Sequence, residues 1–269
     1  MQPHAYDLVT VGGRGAILAI YDMHCHLTFA SNGCEVARAA ELAGIGALSA
    51  TVTPADYETA RAAIAGVRGL RAGVGLHPWC LANGTCAEGD LARFEELCRP
   101  TRFIGEIGLD LAGDNAKSRG VQIEALGRML RACDASGDRK LITLHAVRGT
   151  TDLLDALEQR DATRNHDCAL HWFSGTSDEL TRARRLGCFF SVNARMLETK
   201  RGRAYARAMP AERLLLETDE PPTEGFTWSA DAWKTRLEET LAMLAAARGE
   251  DASALGAAIA ATSVRLLEA

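Results

Sequence analysis

Apolar and polar positions along the chain switch repeatedly between two periods. Short apolar runs rich in Val, Ile, Leu and Ala end in polar residues, and most are followed by apolar positions at helical spacing. The runs predict strands over 18–24, 45–52, 70–76, 102–107, 140–144, 168–172, 188–192 and 213–218. Helices are predicted over 35–43 and 151–159, and Pro54 suits the first turn of another. A long amphipathic helix carries Val121, Ala125, Leu126, Met129, Leu130 and Cys133 on its packing stripe. Two Ala-rich helices over 231–248 and 253–267 close the chain. Strand followed by helix, repeated with no evident linker, implies parallel strands and crossover helices. Eight such units in 269 residues favour an α/β fold, a single closed (β/α)8 TIM barrel with additional C-terminal helices, over an open sheet. The barrel domain is expected at 18–269. The Gly-rich, weakly patterned segment 1–17 is set apart as an N-terminal extension without an assigned role.

Composition narrows the picture. A hydrophobic fraction of 47% is enough for a full core. No run of about 20 apolar residues occurs, so no membrane helix is expected. The first residues lack a basic segment, and Arg14 interrupts their apolar part, which argues against a secretory signal. The eight cysteines are scattered without a CxxC pair, as expected of reduced thiols in a cytoplasmic protein. A net charge of -5 argues against a broad basic face for nucleic acid. It leaves room for a cleft in which bound cations supply local positive charge.

The chemistry collects at the ends of the predicted strands. In Asp22-Met23-His24-Cys25-His26, a period of two places Asp22, His24 and His26 on one face. Two imidazoles beside a carboxylate read as half of a metal site, although an HxH pair alone is a modest signal. His77, Glu106, His145, His171 and Asp219 also fall at predicted C-terminal strand ends. In a parallel barrel those ends converge on one rim, where active sites are assembled from several strands. Five of the seven histidines lie there, while His4 and His166 fall in the extension and a loop with no role assigned. Burying so many polar groups without partners is costly, and a metal centre accounts for them together.

The motifs DMHCHL, GLHPW, GEIGLD, Leu144-His145, HWFSG and LLLETDEP resemble, in order and spacing, the TatD family of metal-dependent deoxyribonucleases in the amidohydrolase superfamily. The match spans roughly residues 20–222. The resemblance implies two divalent metal ions, Mg²⁺ in function with Zn²⁺ or Mn²⁺ as alternatives. His24, His26, Glu106 and Asp219 would hold one ion, and Glu106 would bridge to a second held by His145 and His171. It implies hydrolysis of DNA phosphodiesters from 3′ ends in the 3′ to 5′ direction, with Glu106 and Asp219 catalytic. Asp219 is then both ligand and general base.

His77 is the candidate for substrate phosphate, with Trp172, Ser174 and Arg148 as further substrate-binding residues. Trp79 and Phe173 offer stacking surface or rim packing. Asp22 and Glu217 are expected behind the ligands as supports. TatD proteins usually carry Arg two residues after the fifth-strand His, where this chain has Val147 and then Arg148. The family's Asn-x-Pro element is not evident, and Thr262-Ser263 stand where Asn is frequent. These departures bear on substrate contacts and leave the ligand set intact.

The combination HWFSG, FSVNARM, KRGR and ETDEPP looks most like the TatD-type nucleases of bacterial Qat anti-phage clusters, which implies protein partners from such a complex. Two other readings use the same residues. One is an amidase, lactonase or deaminase acting on a carbon centre. Related barrels of that kind bridge their metals through a carbamylated Lys, whereas Lys140 stands at the start of its strand. The other is a metal-binding component of a defence or repair complex that turns over little alone.

Overall fold

The apolar runs form eight strands in the computed structural model, which describes residues 19–268. The predicted extension 1–17 and the strand start at Leu18 lie outside the described residues. The strands are β1 (Ile20–Cys25), β2 (Ile45–Ala50), β3 (Leu70–Gly73), β4 (Phe103–Asp110), β5 (Leu141–Val147), β6 (Asp167–His171), β7 (Phe189–Val192) and β8 (Leu214–Leu216). All ladders are parallel and join neighbours in sequence, β1 to β3 in one sheet and β4 to β8 in another.

Two seams close the sheets into a (β/α)8 barrel. At the first, Val74 bridges Ile104, the Val74 N–H donates to Phe103 O at 3.0 Å, and the Gly105 N–H donates to Val74 O at 2.9 Å. At the second, the Asp219 N–H donates to His24 O at 3.0 Å and the His26 N–H to Glu220 O at 2.8 Å. Helices cover the outside, with starts fixed by side-chain caps such as Thr53 before Pro54 and the Thr176/Glu179 capping box.

Leu141, Ala169, Phe189 and Leu215 pack with Tyr21, Met23 and Leu48 in a floor beneath the rim. Leu266 and Leu267 of the last helix, Ala252–Glu268, join that floor. Thr143, His171 and Ser191 follow two residues later on their strands, and Glu217 two residues after Leu215 just past the end of β8, so they share the inward face one layer higher. Among the described residues no helix is long and apolar enough to cross a membrane.

Strand ends depart from the sequence expectation for identifiable reasons. β4 and β5 run on to Asp110 and Val147 because their ladder continues through Leu109–Ala146 and Asp110–Val147. β8 stops at Leu216 because the Thr218 N–H leaves the ladder for the Asp22 carboxylate at 3.1 Å. The β1–β2 register shifts between Asp22 and Cys25, which breaks the alternation assumed for DMHCH. Asp22 consequently does not share the face of His24. Its carboxylate accepts from the indole N–H of Trp233 at 2.6 Å, on the outer helix Ala230–Arg248, and from the Thr218 hydroxyl at 2.6 Å.

Candidate metal centre

Glu106 on β4 stands at the middle of the rim and is buried. Its N–H donates to Thr51 O at 2.8 Å and its carbonyl accepts from the Leu76 N–H at 3.1 Å, so backbone bonds from two neighbouring strand ends hold it. Gly75 permits that approach, since a Cβ there would lie 1.7 Å from Thr51 O and 2.5 Å from Glu106 N.

The two carboxylate oxygens face different groups. Oε2 lies 3.5 Å from His24 Nε2 and 3.7 Å from His26 Nε2, and Asp219 Oδ1 lies 3.7 and 3.2 Å from the same nitrogens. A tetrahedral ion bound at about 2.1 Å spaces its ligand atoms about 3.4 Å apart, so each of the two nitrogens stands at coordination spacing from both carboxylates. His24 Nδ1 and Thr143 Oγ1 share a hydrogen bond at 2.6 Å, which turns Nε2 toward the carboxylates. That nitrogen is buried and has no hydrogen-bond partner. An unpaired, buried imidazole nitrogen aimed between two carboxylates fits a divalent cation.

Oε1 faces the second group, 2.7 Å from His145 Nδ1 and 2.6 Å from His171 Nε2. His145 Nε2 is 3.2 Å from Asp110 Oδ2, which also accepts from the Trp79 indole N–H at 2.7 Å. His171 stacks on His24 at 4.0 Å between ring centroids. His77 joins this side, with Nε2 3.5 Å from Glu106 Oε1 and Nδ1 accepting the Trp79 backbone N–H at 3.1 Å.

The electrostatics follow from that crowding. Burial alone would raise the Glu106 pKa, but four imidazoles, His171 foremost, hold it well below the carboxylate range. Asp219 is lowered to about 2, because the hydrogen bond with His26 and the nearby imidazoles outweigh burial. Burial opposes charge on His171 and His145, yet Glu106 raises both, His171 far above its ordinary value. His77 is pushed down to about 4 by burial and stays neutral. The centre thus demands positive charge, from protons on imidazoles or from cations.

Both groups open into a cavity of about 470 Å³, within the range of small-ligand sites. His77, Trp172 and Ser174 line it as expected, and so does Trp79. Arg148 is exposed and in the left-handed region at φ 54°, and the lining takes in Val147 instead. Phe173 is buried against Phe190 and Tyr205, which makes it packing. Glu217 lies beneath the rim, where Oε1 accepts from the Trp172 N–H at 3.1 Å and from Asn193 Nδ2 at 2.7 Å, and the Ser191 hydroxyl bonds Oε2. Thr143, Asp110 and Arg195 were not anticipated. Asp110 stood in GEIGLD but beyond the expected strand end, and Arg195 stood in FSVNARM, on a five-residue helix after β7, with no role assigned to it.

A parallel barrel with this rim defines the chain as a metal-dependent hydrolase. Comparison with known proteins narrows the class. The family model described as TatD related DNase matches residues 21–268, and the chain belongs to that family. The uncharacterized metal-dependent hydrolase YjjV of Escherichia coli K12 is 30% identical over 223 residues, covering 78% of this chain and 83% of that protein. The 3′-5′ ssDNA/RNA exonuclease TatD of Edwardsiella piscicida is 34% identical over 139 residues, covering 50% of this chain and 52% of that one. The crystal structure of the E. coli YjjV protein superposes with a TM-score of 0.77 at 23% identity, over 93% of this chain and 98% of that chain.

Proposed function

We propose that the protein is a DNase, a 3′–5′ exonuclease that hydrolyses phosphodiesters of single strands or 3′ ends with two divalent ions, Mg²⁺ in function and Zn²⁺ or Mn²⁺ as alternatives. The observation that carries this reading is Glu106, whose two oxygens face two separate sets of donor atoms. His24, His26, Glu106 and Asp219 would hold one ion, and Glu106, His145 and His171 the other. Bound ions would supply charge to phosphoryl oxygens and acidify a water. Asp219, the most open of the ligands with its side chain 18% exposed, takes the proton of the attacking water. His77 is neutral, and its Nδ1 accepts a backbone N–H, so its proton sits on Nε2 and is donated to a phosphate oxygen. Trp172 and Trp79 offer ring faces to bases, and the Ser174 hydroxyl a further polar contact at the mouth.

The name of the Edwardsiella relative supports a nucleic-acid substrate. Lys140 weighs against the amidase, lactonase or deaminase reading, because its ammonium donates to Cys98 O and Thr101 O at 2.9 and 2.7 Å, away from the cavity lining. Cytoplasmic location, read from the scattered free cysteines, and membership of the Qat anti-phage branch, with protein partners from that complex and read from the motif combination alone, are part of the same proposal.

The test is cleavage of end-labelled single-stranded and duplex DNA by metal-stripped protein, restored with Mg²⁺, Mn²⁺ or Zn²⁺, beside Glu106→Ala. A ladder shortening from the 3′ end, dependent on metal and absent in the variant, is the expected result. Protein that binds two ions yet cuts neither DNA would shift the assignment to a small ester or amide.

A further inference from the structure

Among the described residues, the cavity lining carries three carboxylates, Glu106, Asp110 and Asp219, and a single side chain of permanent positive charge, Arg195. Arg195 is positioned by the buried Glu217. The same Glu217 oxygen accepts the Trp172 N–H and Asn193 Nδ2, and Asn193 in turn caps the helix Ala194–Glu198 by accepting the Met196 N–H at 2.8 Å. One carboxylate thereby fixes both the end of β6 and the start of the helix that follows β7. The guanidinium of Arg195 lies 5.8 Å over the Trp172 ring and bonds Glu220 Oε1 at 2.9 Å. Trp172 sits at φ 38°, a conformation bulky residues rarely adopt and hold only where the surroundings over-determine it. The Arg195 side chain is 43% exposed, and the bond to Glu220 uses one of its five N–H groups. Arg201 adds positive charge on this side, donating to Ser174 O at 3.3 Å.

Resting on the phosphodiesterase reading, we infer that Arg195 is a specificity-determining residue. It grips the phosphate next to the scissile one while the adjoining base stacks on Trp172, and Glu220 holds the guanidinium in place until substrate arrives. A planar guanidinium suits a phosphate, and in a cavity lined by carboxylates it is the group that makes a second phosphate acceptable.

The test uses metal-loaded protein and two probes. One is a thymidine trinucleotide with both phosphates charged, and the other carries a neutral methylphosphonate at the position next to the 3′-terminal phosphodiester. Binding is measured by titration calorimetry on ice, and hydrolysis by chromatography. Arg195→Gln should weaken binding of the charged probe and raise its KM by about tenfold, leave kcat unchanged, and change the neutral probe less than twofold. The slope of log K against log salt should fall by about 0.7. Glu220→Gln, which releases the guanidinium, should act in the opposite direction on the charged probe. Equal losses on both probes, or no loss, would overturn the inference even if hydrolysis is normal. Arg195-dependent binding without hydrolysis under any metal would overturn the proposed function and leave Arg195 standing as a phosphate contact. A wild type that binds neither probe would remove both.

Discussion

Thr143 decides which nitrogen of His24 is left to face the carboxylates, because its hydroxyl takes Nδ1 at 2.6 Å. Thr143→Val keeps the shape and removes the hydroxyl, so the ring loses its orienting bond while the strand stays filled. Zn²⁺ affinity should fall about 10- to 100-fold, as for other losses of a ligand's hydrogen-bonded support. Competition with a chromophoric chelator measures it, and an unchanged affinity would remove His24 from the ligand set. The ligand candidates were legible because His24 and His26, Glu106, His145, His171 and Asp219 are polar residues at or just after apolar runs of the sequence, even though β4 and β5 run on past Glu106 and His145. Their supports were not, because they act across the fold. Thr143 is 119 residues from His24, and Asp110 is 35 from the histidine it contacts. Asp22 was misplaced by the rule that read its neighbours correctly, since period-two alternation assumes an unbroken ladder and β1 shifts register there.

At the scale of elements, apolar runs identify strands but pairing sets where they end. β4 and β5 lengthen each other past any local signal, and β8 gives up its last residues to the seam with β1. The loop before β6 shows the same limit. His166, to which the sequence assigns no role, is buried there. Its Nδ1 accepts the Lys140 N–H at 3.3 Å, and its Nε2 lies 3.2 Å from Asp134 Oδ1. Burial lowers its pKa, with Asp134 offsetting only part of the effect and the nearby Lys140 and Arg139 opposing protonation. The folded value therefore lies below the unfolded one of about 6.5, and the unfolded chain binds the proton first as pH falls. The contribution is whole above about pH 6.5 and is lost as pH falls through the folded value. His166→Asn removes this titration, so the stability gap between wild type and variant should narrow between about pH 7 and pH 5, measured by urea unfolding. A gap that stays constant would show that the neutral ring is not what the fold requires.

For the whole molecule, the rim is a point where charge and closure meet. β1, β4, β5, β6 and β8 each bring a candidate ligand to the rim, and the seam between β8 and β1 is held by backbone bonds from Asp219 and His26, two of those candidates. A cation held by both of these candidates would tie the first strand to the last. Metal that binds only the folded chain stabilises it by about 2.7 kcal/mol when free metal is 100 times its dissociation constant. In a domain of this size that corresponds to a rise in Tm of roughly 5–10 °C. Glu106→Ala removes the one donor common to both groups and should flatten the response while leaving β1 and β8 hydrogen-bonded as before. Thermal melts of stripped protein titrated with Mg²⁺, Mn²⁺ and Zn²⁺ separate the cases. A rise in wild type that the variant lacks assigns the stabilisation to this centre. Equal rises would place the metal on other side chains. A midpoint that none of the three cations moves would mean that the five imidazoles are held by protons and the side chains around them, without a cation.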